Sequence, residues 1–306
     1  MGLIALIAPD ETRAGCFGMI KTGILGALCL LALPLAAQAG ENDSGFMPAN
    51  GIFIGAGGAW NGANFPDQNI YGFGVSQNYA IGRVLVATGA AAGNAYPNLG
   101  TDSSISPVIQ AGFYRTFEGT PWIWGAKFSY NQVGVTGVAR DVLIPQSGGY
   151  TGLIQGTFTG NYLLSSYEVS LDHQFALVPI LGYSFGRGFV YGGAGATLSR
   201  ITNNMNGLVG FAELDHRYAV SGAPAFFSDS NWVWGATATA GVTYFFAKGW
   251  FIDLSYSYTA SATPTNSFAN QFDTRYPQVE FVGVSGGYRS GTVDNQALTV
   301  TVNYAF

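Results

Sequence analysis

Apolar and polar positions alternate along most of this chain, most plainly at its end. In 296–306, QALTVTVNYAF, Leu298, Val300, Val302, Tyr304 and Phe306 fall on one face and Thr299, Thr301 and Asn303 on the other. A period of two with one apolar and one small or polar face predicts a β-strand. Similar stretches occupy 51–60, 106–117, 122–132, 166–185, 189–200, 231–246 and 250–259. In 122–132, Trp122, Trp124, Ala126, Phe128 and Tyr130 share a face opposite Gly125, Lys127, Ser129 and Asn131. In 166–185, Tyr167, Val169 and Leu171 oppose Glu168, Ser170 and Asp172, with a bend expected at Pro179. Segment 231–246 is the clearest, with Trp232 and Trp234 at one end of its apolar face and Tyr244 at the other.

The connections alternate too. Turns of three or four residues follow the second, fourth and sixth strands, at 118–121, 186–188 and 247–249. Long segments follow the first, third, fifth and seventh. This asymmetry predicts an all-β, transmembrane, antiparallel up-and-down barrel of eight strands, with short periplasmic turns and long extracellular loops. Residues 80–92 could pair with a neighbour and leave a count of ten open, while 278–288 alternates as a sheet extension beyond the membrane. A secreted β-sandwich or lipocalin-like cup is the soluble alternative. Outward faces this rich in tryptophan and alanine would aggregate in water.

Composition supports the membrane reading. Charged residues make up 9% of the 306 and hydrophobic ones 48%, with 44 glycines and 15% aromatics. Mean hydropathy is +0.22. After the leader, no apolar run reaches the ~20 residues of a membrane helix. The net charge of −5 argues against a nucleic-acid partner.

The leader lies at 19–39: a short positive n-region, an apolar stretch at 24–35, and Ala37-Gln38-Ala39 as a small-x-small cleavage signal. Residues 1–18 precede a signal peptide that has its own Met19, and read as an upstream start extension or a lengthened n-region. Residues 40–50 form a polar periplasmic lead-in and 51–306 the barrel domain. Both cysteines, Cys16 and Cys29, precede the cleavage point, so the mature chain has no disulfide and no thiolate metal site.

The chain resembles the small outer-membrane β-barrel proteins of Gram-negative bacteria, in the OmpA-like/opacity-type porin family, and among them the immunogenic outer-membrane proteins of alphaproteobacteria. The resemblance rests on the leader, the Gly-rich opening at 51–60, Tyr191-Gly192-Gly193-Ala194-Gly195 and the closing Asn303-Tyr304-Ala305-Phe306. It implies that Tyr304 and Phe306 form the signal read by the barrel-assembly machinery. It also implies a cell outer-membrane location, amid outer-membrane lipid and lipopolysaccharide. The resemblance is to the barrel alone, so the peptidoglycan binding of the family's periplasmic domain is not expected of this chain.

Candidate chemistry is sparse. Catalysis in such barrels generally needs a histidine beside a Ser, Asp or Glu. His173 lies on a strand with its side chain expected toward lipid or the lower girdle, and His216 lies in the third loop. Neither sits in the His-x-Ser pattern of the lipid A deacylases, so the reading is non-enzymatic, without metal or cofactor. Eight strands leave an interior only wide enough for side chains. Lys127, Glu168, Asp172 and Asp253 are expected to form a polar network there, either a stabilising plug or a narrow solute gate. The loops are the alternative working surface, as an adhesin or ligand-binding site with no target legible.

Overall fold

The structure is a computed structural model that describes residues 46–306. The segments 1–18 and 19–39, and the proposed cleavage point, lie outside the described residues. Fourteen strands occur among the described residues: β1 (Asn50–Asn64), β2 (Asn69–Ala80), β3 (Val84–Ala95), β4 (Thr101–Thr116), β5 (Trp122–Asn131), β6 (Val135–Gly152), β7 (Gly156–Ser184), β8 (Gly188–Glu213), β9 (Arg217–Ala219), β10 (Ala225–Ala247), β11 (Trp250–Ser261), β12 (Thr265–Arg275), β13 (Val279–Ser290) and β14 (Asp294–Ala305).

Eight of them close a ring, in the order β1, β4, β5, β7, β8, β10, β11, β14 and back to β1. Every pairing is antiparallel. The closing strand β14 lies between β1 and β11, with Ile54 opposite Tyr304 and Trp250 opposite the same residue on the other side. Closure leaves no free edge, which a spanning sheet in hydrocarbon requires. β3 overlaps the segment that left ten strands open, but it pairs with β2 and β6 outside the ring.

The long connections are mostly strand as well. β13 pairs with β2, β2 with β3, β3 with β6, and β6 with the upper part of β7. Hydrogen bonding therefore continues above the ring into an extension of the same sheet, β12-β13-β2-β3-β6-β7-β8-β10, which shares β7, β8 and β10 with the ring below. β7 has 29 residues and β8 has 26, against the ~9–11 that a tilted strand needs to cross a bilayer core. The excess stands outside the membrane. This sheet curls into a cup whose seam, between β12 and β10, is bridged by side chains. Asn266 Nδ2 donates to Asp229 Oδ1 at 2.6 Å, and the Phe227 and Phe268 rings lie 5.0 Å apart.

The outer face of the ring is apolar. Ile52, Ile109, Leu177 and Val300 are each about half exposed or more. Two aromatic girdles bound this belt. The lower one includes the edge-to-face pairs Phe113–Trp124 and Trp122–Tyr183, and Trp250 against Tyr304. The upper one includes Tyr130, Phe175 and Trp232, with ring centroids 5.0 and 5.6 Å apart.

The expected bend at Pro179 takes the form of an interrupted ladder: β7 pairs with β8 at Leu177 and again at Ile180, but not between. Proline has no N–H to donate there.

Candidate functional site

Three layers fill the space inside the ring. The lowest is aromatic. Phe53, Phe245 and Phe251 meet with centroids 4.8 and 5.4 Å apart, and Tyr114, Ile123, Val178, Ile180 and Phe189 pack with them. Phe46 and Met47, from the lead-in, pack against it from below, and the Phe46 carbonyl accepts from Gly249 N–H. The lead-in is thus less polar in effect than its composition suggests, because Phe46 and Met47 cap the periplasmic mouth. Sequence reasoning missed this plug. Its signal was the run of aromatics at inward parity near the strand bases.

The second layer is ionic. Lys127 Nζ donates to Asp253 Oδ2 at 2.6 Å and to Tyr191 Oη at 2.9 Å. Tyr191 Oη donates to Asp253 Oδ1 at 2.8 Å. Gln110 Nε2 reaches Asp253, Thr301 and Asn303 from the opposite wall. Both charges are buried, so each depends on the other and on these extra hydrogen bonds. Gly55 in β1 faces this layer, where an added Cβ would collide with the Asn303 side chain. Lys127 and Asp253 thus lie together in this layer. Gln110 and Tyr191 also belong to the network, on inward-facing positions of their strands.

Glu168 and Asp172 do not take the expected place. Tyr167, Val169 and Leu171 point inward and are almost fully buried, which turns Glu168 and Asp172 outward. Glu168 accepts from Ser166 Oγ at 3.0 Å, and Asp172 from Thr202 Oγ1 at 2.6 Å. The physical reason is that this half of β7 stands above the membrane, where the interior is apolar and the exterior is wet. A bulge between Leu171 and His173 then resets the parity. Below it Gln174, Val178 and Ile180 turn inward while Leu177 and Leu181 face out.

The third layer is amides and hydroxyls. Asn61, Ser106 and Asn131 form a closed triangle of hydrogen bonds at 2.6–2.7 Å. Asn295, Gln174 and Ser199 extend it across the lumen. A polar-walled cavity lies between the second and third layers, with Ser129, Thr239, Ser257 and Thr299 among its walls.

The cup reverses this order of polarity. Its core holds Ile70, Ile144, Leu164, Tyr167 and Met205. Arg289, also buried, pairs with Asp229 and donates to the Asn203 carbonyl at 3.1 Å. Burial holds its guanidinium below the usual arginine range, and burial pushes the nearby Tyr167 phenol up to about 12. Above the core, the Tyr162 hydroxyl donates to the Phe73 carbonyl at 2.8 Å, and its ring forms the floor of an apolar pocket open at the top of the cup.

Both histidines lie away from these layers. His173 faces outward with Nδ1 2.9 Å from Tyr130 Oη, so it joins the upper girdle rather than the lower one. His216 is exposed beside Asp215, at 3.1 Å, and its ring packs against Tyr218. Among the described residues no group of three metal-ligating side chains converges. Tyr304 lies in the lower girdle. Phe306 is 74% exposed, and its N–H donates to the Ile52 carbonyl at 2.9 Å.

No protein-family model and no curated protein matches the chain. Solved structures of outer-membrane proteins are similar to it at low identity. The outer membrane protein OprG from Pseudomonas aeruginosa is similar over 87% of this chain and 99% of its own, at 12% identity and a TM-score of 0.33. Neisserial surface protein A covers 78% and 97%, at 13% identity and 0.26. The outer membrane protease OmpT from Escherichia coli covers 84% and 96%, at 8% identity and 0.29. The closed ring, the apolar belt between two aromatic girdles, and extended hairpins at one end only make this chain a small antiparallel barrel of the outer membrane.

Proposed function

We propose that the protein is a closed barrel that works at the cell surface through its extracellular cup, and that it neither passes solutes nor performs catalysis. The observation that carries this reading is the contrast between the two interiors. The lumen is filled by the aromatic cluster at the periplasmic mouth and by the Lys127–Asp253 layer above it. The cup, in contrast, is ordered strand around its own core and ends in an open pocket. Loops that only shielded the membrane would not need a core. Outer-membrane lipid and lipopolysaccharide surround the belt, and the cup projects beyond them to meet a ligand or a surface.

The test is conductance of the refolded protein in a planar bilayer. Silence at the resolution of single openings is expected, with insertion verified by the heat-sensitive gel migration of a folded barrel. Discrete steps above background would sink the closed-barrel reading in favour of a narrow porin.

A further inference from the structure

The pocket at the top of the cup has a composition that specifies what fits it. Its walls come from β2, β3, β6, β7, β8, β12 and β13, so it is built by the whole sheet and not by one loop. Aromatic side chains of Tyr150, Phe158, Phe272 and Phe281 stand around it, over the Tyr162 floor. Small residues oppose them: Gly89 and Ala91 on β3, Gly210 and Ala212 on β8. Large residues on some strands facing small ones on others leave a cavity of about 70 Å³ that continues into an open mouth.

No charged side chain lines it. The nearby charges are paired on the rim, Arg217 with Glu213 and Arg275 with Glu280. The polar side chains at the floor are already committed. The Tyr162 hydroxyl is bonded to the Phe73 carbonyl, and the Gln146 amide, in its satisfied orientation, bridges the Gly72 carbonyl and the Gly93 N–H. An ionic ligand would lose its hydration without a partner, at a cost of several kcal/mol or more. A neutral ring would gain apolar burial and offset or edge-on contact with four aromatic side chains.

We infer that this pocket is a binding site for a small, neutral, apolar molecule of about one aromatic ring, taken from the extracellular side. The inference rests on the reading of the cup as the working part of the protein and names the ligand class for it.

Gly89 offers the test. A Cβ there would meet Ser76 Oγ and Tyr150 Cβ at 3.6 Å, ordinary contact, and the backbone is not in the left-handed region. The strand therefore admits a Cβ at Gly89, and the ring of Gly89→Phe would compete for the pocket that Gly89 lines. The measurement is ¹⁹F NMR of 4-fluorotoluene with the full barrel in phospholipid nanodiscs, against empty nanodiscs and against 4-fluorobenzoate. Wild type is expected to broaden the 4-fluorotoluene signal saturably, beyond the lipid background, and to leave 4-fluorobenzoate unaffected. Gly89→Phe should weaken binding at least tenfold while keeping heat-sensitive gel migration. Ala91→Ile, a milder filling of the same wall, should weaken it several-fold and serves if Gly89→Phe does not assemble. Broadening no greater than in empty nanodiscs, equal binding of the benzoate, or binding unchanged in an assembled filling variant would overturn the site. Channel steps in the bilayer with binding retained would overturn the closed-barrel reading alone. Silent bilayers without binding would overturn this site alone.

Discussion

β7 passes through two environments and is organised oppositely in each. In the ring, Leu177 and Leu181 face lipid, while Gln174 turns into the polar lumen and Val178 and Ile180 into the aromatic layer below it. Between Tyr167 and Leu171 its apolar side chains face in, and Glu168 and Ser170 lie on the outer face. The ring and the cup are thus the same sheet with its sidedness reversed at the membrane surface. In the ring, hydrocarbon outside removes the drive to bury apolar groups, so the interior can hold an ion pair and amide layers. In the cup, water outside restores that drive, and a conventional core forms. The bulge between Leu171 and His173 is where β7 makes the change.

The sharpest way to break this comparison is to unbalance the ring interior. Asp253→Leu leaves Lys127 buried without its counter-charge, which costs about 3–5 kcal/mol. The urea midpoint in lipid should fall accordingly, and Lys127→Met/Asp253→Leu should recover most of the loss. A single variant as stable as wild type would mean that the lumen admits enough water to solvate the lysine.

The cup can be broken separately. Tyr162→Ala removes a buried ring and its bond to the Phe73 carbonyl, a loss of about 3 kcal/mol. Hydrogen exchange should accelerate roughly a hundredfold in β2, β3 and β13 and stay unchanged in β5, β11 and β14. Acceleration in the ring strands as well would show that ring and cup unfold as one unit.

The smallest effect is expected at Arg289→Met. Arg289 Nε and Nη1 have no hydrogen-bond partner among the described residues. Asp229 is one-third exposed and keeps the Asn231 and Asn266 amides. Removing a guanidinium that is buried and incompletely paired should change the cup's exchange-derived stability by no more than about 1 kcal/mol. A loss of several kcal/mol would make Arg289 the organising charge of the cup, the counterpart of Lys127 in the ring.

Strand alternation together with the alternation of short turns and long connections was enough for the ring. All eight expected strands fall on ring strands, and 278–288 overlaps β13, the sheet extension. Lys127 and Asp253 were legible as lumen groups because a buried charge on the lipid face is costly. Glu168 and Asp172 were misread by the same logic applied one environment too far. Nothing in 166–172 says whether lipid or water lies outside it, and polar-in or polar-out depends on that. The apolar pocket was not legible at all, since Gly89, Phe158, Gly210 and Phe272 come from four segments that meet only when the loops pair.

The sequence by itself determined a charge-poor chain of alternating strands, closed by a terminal strand with Val300 and Val302 on one face and Thr301 and Asn303 on the other. Period-two patterning is local, so it survives without a fold. The tertiary structure alone decided the height at which sidedness reverses, the aromatic closure of the lumen and the cup with its pocket. Each of these depends on which strand lies beside which, and on which solvent lies outside it.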